Sequence, residues 1–242
     1  MLCKIADLLV EVPEARGLAP RLQAYRTEET GQPHITIKEE MYKPDRNPTL
    51  SPEGLAYVQS GSIFYSHLVK FGGMMLHASA VALDGEAYLF SGPSGMGKST
   101  HTRLWKECFE GAEIFNDDKP ALRELGGIWY AYGTPWCGKD GINKNMKVPL
   151  KAICFLRRGE NNTARRLLGL EAISALAGQT FMRFRDKAIL DEAIKHLESL
   201  VQSIPIYEIT VTKTADAALF SYQCLRGATE PAGGETENYN EN

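Results

Sequence analysis

The eight residues from Gly92 to Ser99, GPSGMGKS, constrain this 242-residue chain more than any other segment. They satisfy G-x-x-x-x-G-K-[ST] at every position. Gly92, Gly95 and Gly97 allow a turn tight enough for successive backbone N–H groups to face one anion. Lys98 is placed to reach the outer phosphates of a nucleotide and Ser99 to coordinate Mg²⁺, with Ser94 and Thr100 completing the binding stretch. The flanks agree. The apolar run YLFSG enters as a strand and THTRLWKECF leaves as a helix, whose N-terminus adds unpaired donors and partial positive charge. The pattern therefore predicts a strand, a phosphate-binding loop and a helix, with ATP and Mg²⁺ as ligands.

One helix further on, a short strand AEIF ends in Asn116, Asp117 and Asp118. Two adjacent carboxylates there match the two services phosphoryl transfer needs beyond charge neutralisation. One holds the metal and the other takes the proton of an attacking hydroxyl. N-D-D is also good turn chemistry, and only the nearby phosphate loop favours the functional reading. His77 lies in MLHASAVAL, the strand before the phosphate strand, where it is equally a core residue or a partner that orients a carboxylate. His101 reads as structural. The polar segment 133–147, GTPWCGKDGINKNMK, is long for a connection. It offers Lys139, Lys144 and Lys147 to balance phosphoryl charge and Trp136 to stack on a base or cover a pocket. Arg157 and Arg158, ending the strand AICFL, offer guanidinium forks.

Alternation and turn signals predict an α/β chain with a mixed sheet and flanking helices. Residues 1–50 read as a small strand-rich N-terminal annex, with strands in KIADLLVEV and at 34–42. Residues 51–227 read as the nucleotide-binding catalytic domain and 228–242 as a disordered, acidic tail. The segments MLHASAVAL and EAYLFSG form a hairpin through D-G, and PALREL and IWYAY form another through G-G. A net charge of −3 gives no reason to expect nucleic acid as a partner. The five cysteines form no metal-ligand spacing and read as reduced thiols of a cytoplasmic protein. No run is apolar enough for a membrane span and no signal peptide is evident.

His77 in LHASAV, the loop Gly92–Ser99, the adjacent Asp117 and Asp118 and the later Gly-rich GTPWCGK together resemble the HPr kinase/phosphorylase-like family, in a short divergent form. That resemblance implies a phosphate-loop core related to phosphoenolpyruvate carboxykinase. It assigns Asp118 to proton transfer, Asp117 with Ser99 to Mg²⁺, His77 to supporting the carboxylates and Lys139 to the place of a basic residue. It also implies a Mg²⁺-dependent ATP phosphotransferase acting on a serine of a protein or peptide, with reverse phosphorylase activity a family property and self-association a family tendency. Two other readings stay open: a kinase of a small hydroxylated metabolite, and a nucleotide hydrolase or switch. The fifty N-terminal residues are too few for the larger N-terminal domain of the full-length family enzymes.

Overall fold

The computed structural model describes residues 1–14, 17–181, 184, 186–212 and 214–227. The tail expected at 228–242 lies outside them. The chain opens with an antiparallel hairpin of β1 (Leu2–Ile5) and β2 (Leu8–Glu11), turned at Ala6 and Asp7 with φ of 52° and 60°. This hairpin replaces the single strand expected for KIADLLVEV. A short helix α1 (Ala19–Leu22) leads to β3 (Ile35–Thr36), parallel to β2. The strand expected over 34–42 shrinks to those two residues because β2 ends at Glu11, the partner of Thr36, and the ladder has no further rung.

Helix α2 (Pro52–Leu68) begins with Pro52 in its first turn and with Ser51 accepting a hydrogen bond from the Gly54 amide, an ordinary N-cap. The main sheet then forms. Strand β4 (Gly73–Met75) precedes the hairpin of β5 (Ala78–Leu83) and β6 (Glu86–Ser91), whose turn places Asp84 and Gly85 at φ 53° and 78°. Helix α3 (Lys98–Cys108) follows the Gly-rich loop, then β7 (Glu113–Asn116), β8 (Ala121–Leu125), β9 (Ile128–Tyr132) and the long β10 (Lys147–Arg158). The chain closes with β11 (Thr163–Leu167), α4 (Gly169–Ala177), α5 (Lys187–Ser203), β12 (Ile206–Val211) and α6 (Ala215–Arg226).

The strand order is β4-β8-β9-β10-β6-β5-β7, with β12 and then β11 also joined through β10. Strand β10 makes this possible by changing partners along its length. Lys147–Pro149 pairs antiparallel with β9, Leu150–Phe155 pairs parallel with β6, and Ile153–Arg158 pairs parallel with β12. Its run AICFL is apolar on both faces because helices cover both. Leu89, Ile153 and Phe155 pack with Leu176, Leu197 and Leu200 of α4 and α5, while Tyr88, Phe90 and Cys154 pack with Trp105 of α3 and Leu225 of α6. A third cluster joins Val10, Leu22 and Tyr25 to Phe64 and Leu68 of α2 and to Tyr132 and Trp136. The N-terminal strands therefore share a core with α2 and β9. Among the described residues no helix is long and apolar enough to cross a membrane.

His101 belongs to this packing. Its Nε2 lies 2.9 Å from Ser221 Oγ, which also accepts from Trp105 Nε1 and donates to Ala218 O. With the hydroxyl proton so used, Nε2–H is the donor. Burial pushes the His101 pKa from 6.5 down to about 4. The unfolded chain therefore binds this proton at higher pH than the folded one, and stability is full above about pH 6.5 and falls as pH drops toward 4. The loss is expected to reach roughly 3 kcal/mol. His101→Gln should flatten that part of the curve of urea midpoint against pH.

Candidate functional site

The parallel strands β6, β10 and β12 end on one edge of the sheet, where open α/β sheets place their ligand sites. The segment Gly92–Gly97 leaves β6 there and turns into α3 with φ of 136°, 78° and 110° at Gly92, Gly95 and Gly97. These are conformations that a side chain would strain. Gly97 is the N-cap, so α3 begins at Lys98 without a side-chain cap and its first amides keep their donors. Lys98 is 8% exposed. Its Nζ donates to Gly92 O at 2.9 Å and Pro93 O at 3.3 Å, which holds the ammonium against the loop and leaves one of its three protons without an acceptor among the described residues. Burial pushes its pKa below the usual lysine value, although Asp118 and Asp117 pull in the other direction. Ser99 lies in the first turn of α3, half-buried, whereas Ser94 and Thr100 are exposed.

Asp117 and Asp118 are set by Asn116, which is fully buried at the end of β7. Asn116 Oδ1 accepts from the amides of Asp118 at 3.1 Å and Lys119 at 2.8 Å, an Asx turn, while its Nδ2 donates to Thr134 O. Tyr65 and Thr134 both donate to Lys119 O, at 2.6 and 2.8 Å. The turn that N-D-D chemistry suggests is present, but as a rigid mount rather than a solvated loop. His77 Nε2 lies 3.3 Å from Asp118 Oδ1, and Nδ1 lies 3.2 Å from Gln179 Oε1 beyond the end of α4. Lys119 pairs with the other Asp118 oxygen. Burial pushes the Asp118 carboxyl up, but the hydrogen bond from His77 and the charge and hydrogen bond of Lys119 outweigh it, so it stays below its usual range and ionised at neutral pH. Asp117 is half-buried, and its Oδ1 is shielded from solvent with no hydrogen-bond partner among the described residues.

The 133–147 segment does different work from that expected of several of its residues. Trp136 is 1% exposed, stacked on Phe64 with centroids 4.9 Å apart and donating to Ser60 Oγ; it neither covers a pocket nor offers a face to a base. Lys144 is paired with Glu113 and Lys147 with Asp7, so neither is at the acidic pair. Asn143 and Asn145 donate to the carbonyls of Arg21 and Ala24, which clasps the N-terminal segment to the loop. Lys139 is exposed and follows Gly138, whose φ of 72° and packing bring the loop against Asp118. Burial raises the Cys137 pKa despite the Arg21 guanidinium beside it, so this thiol stays protonated and packs.

Three neighbours meet the site through contacts that sequence pattern does not foretell. Arg21 Nη1 donates to Gly138 O at 2.7 Å, Gln179 meets His77, and Arg158 donates to the carbonyls of Gly95 and Met96 in the Gly92–Gly97 loop. Arg158 is a guanidinium candidate by sequence, but nothing there foretells its seat on the loop backbone. Arg157 instead pairs with Glu208 at 2.8 Å. A cavity of about 220 Å³ lies between the loop and α4, lined in part by Gly92, Pro93, Ser174 and Gln179.

The family model described as "SynChlorMet cassette protein ScmC" matches residues 51–215, about two thirds of the chain and all of this site except Arg21. The chain belongs to the ScmC family. Among curated proteins none matches it. Among solved structures it is similar to the Hpr(Ser) kinase/phosphatase from Coxiella burnetii. That pair is 14% identical with a TM-score of 0.37, over 63% of this chain and 88% of that one. ScmC membership corrects the resemblance to the HPr kinase/phosphorylase-like family. The likeness rested on short motifs, and the similarity to a solved member is too low to carry it. What stands at the level of architecture is a mixed α/β fold, a many-stranded sheet with flanking helices.

Proposed function

We propose that this chain is a Mg²⁺-dependent ATP phosphotransferase acting on a hydroxyl, foremost a serine of a protein or peptide. The observation that carries this reading is a buried lysine, on a Gly-rich loop that starts a helix, near enough to feel the charges of Asp118 and Asp117, with Asp118 itself held by His77. On this reading residues 51–227 form a phosphate-loop catalytic unit and residues 1–50 an annex to it.

The loop amides and Lys98 hold the phosphates, with the free proton of Lys98 directed to an outer oxygen. The hydroxyl oxygen of the acceptor bonds to the γ-phosphorus, the bond from that phosphorus to the β–γ bridging oxygen breaks, and ADP leaves. Asp118 takes the hydroxyl proton, and its pairing with His77 and Lys119 holds it in one orientation for that transfer. The orphaned, shielded Oδ1 of Asp117 and the half-buried Ser99 suit a hard cation that prefers oxygen ligands. Mg²⁺ held there would neutralise charge on the β- and γ-phosphates.

Isothermal titration with ATP tests the nucleotide half of this reading. Saturable one-to-one binding that weakens about tenfold when Mg²⁺ is chelated is expected, a difference of about 1.4 kcal/mol. Absence of binding with or without Mg²⁺ would overturn it.

A further inference from the structure

Arg21 is a half-buried guanidinium that takes part in none of the ion pairs formed among the described residues. It comes from α1, outside the segment the ScmC model covers, and the loop that carries Gly138 holds it in place. Its Nη1 donates to Gly138 O at 2.7 Å and to Cys137 Sγ at 3.3 Å, and its guanidinium carbon sits 4.7 Å from the centre of the Tyr57 ring. Its Nε and Nη2 protons make no hydrogen bond among the described residues. Lys119 Nζ lies 5.8 Å from the centre of the same ring. Gly138 links this pair of cations to the acidic pair, since a Cβ on it would lie 3.2 Å from Asp118 Cβ. Tyr57 OH accepts from Gly138 N at 3.3 Å, which fixes the ring between them.

A guanidinium held on one side by a carbonyl and an aromatic face, with its remaining donors unused, is suited to a carboxylate. Resting on the phosphotransferase reading, we propose that Arg21 forms an acceptor subsite beside Asp118 that selects a serine with an acidic residue two positions away in a peptide. In an extended peptide side chains two residues apart share a face at about 7 Å spacing, so a hydroxyl at Asp118 directs the side chain two residues away along the side on which Gly138 and Arg21 lie.

Phosphoryl transfer to the peptide Gly-Asp-Gly-Ser-Gly-Asp-Gly is compared with transfer to its counterpart with Asn in place of both Asp. ATP binding by titration is followed in parallel. The wild type is expected to favour the acidic peptide by about tenfold in kcat/KM, expressed in KM, as one charge-assisted hydrogen bond would give. In Arg21→Gln the preference should fall to within about twofold, and Arg21→Lys should restore part of it. Equal rates on the two peptides with wild-type protein, or a preference that survives Arg21→Gln, would overturn the subsite while ATP binding leaves the phosphotransferase reading intact. Loss of ATP binding by the wild type would overturn both. Should Arg21→Gln fail to fold, equal wild-type rates on the two peptides still overturn the subsite.

Discussion

Asp118→Asn is expected to lower kcat for phosphoryl transfer by about 10²–10⁴-fold, the usual contribution of a positioned general base. ATP affinity should change by less than about threefold, because the proposed phosphate contacts come from Lys98 and the loop amides. The substitution keeps the volume of the side chain and an oxygen to accept from His77, so the Asx turn built by Asn116 should survive. It removes the charge that Lys119 and His77 hold in place. Net stabilisation of ionised Asp118 places its pKa below the unfolded value. The associated stability is therefore present above the unfolded carboxylate pKa and lost as pH falls through the lowered one. A base of low pKa is a weak proton acceptor. Phosphoryl transfer tolerates this because its transition state is loose and the proton moves late, so orienting the hydroxyl counts for more than basicity. Single-turnover rates with saturating ATP would read the effect directly. A variant as fast as wild type would remove Asp118 from the chemistry.

Lys98→Met should separate binding from folding. The ammonium is 8% exposed, and burial already pushes its pKa down. Its removal relieves a desolvated charge while leaving the carbonyls of Gly92 and Pro93 without a donor. Relief of the buried charge offsets the loss of a donor at the Gly92 carbonyl, so stability should shift by no more than about 1 kcal/mol. ATP affinity should fall about 10–100-fold, the equivalent of one lost hydrogen bond between charged groups at about 1.5–3 kcal/mol. Titration and urea unfolding on the same preparation check both halves. Loss of stability with ATP binding retained would make Lys98 a packing residue.

Much of the fold can be read from local chemistry. Asp84-Gly85 and Gly126-Gly127 demand positive φ and fix two hairpins, and GPSGMGKS fixes a strand–loop–helix unit. Strands β4 and β11 escape such reading, since GMM is three residues long and TARRL is a polar edge strand paired with β12. The site is legible only where one segment carries its own signal. Lys98, Asp117 and Asp118 stand in such segments. Arg21, Tyr57 and Gln179 do not, because their roles come from contacts 81 to 117 residues distant in the chain, a separation no periodicity encodes. Trp136 shows the converse. A tryptophan in a Gly-rich polar loop resembles a ligand platform until Phe64 and Ser60 are seen to bury it. The family resemblance misleads for a related reason. A phosphate loop, a pair of carboxylates and a histidine specify a kind of chemistry, and unrelated lineages can share them.

The central claim is that Asp118 and the Gly92–Ser99 loop move a phosphoryl group onto a hydroxyl, and the fate of the γ-phosphoryl tests it most directly. Wild-type protein is incubated with Mg²⁺, γ-labelled ATP and serine peptides, with Asp118→Asn in parallel. Label is predicted in an acid-stable peptide phosphoester with wild type and not with the variant. Label released only as inorganic phosphate, or left wholly in ATP, would contradict the account.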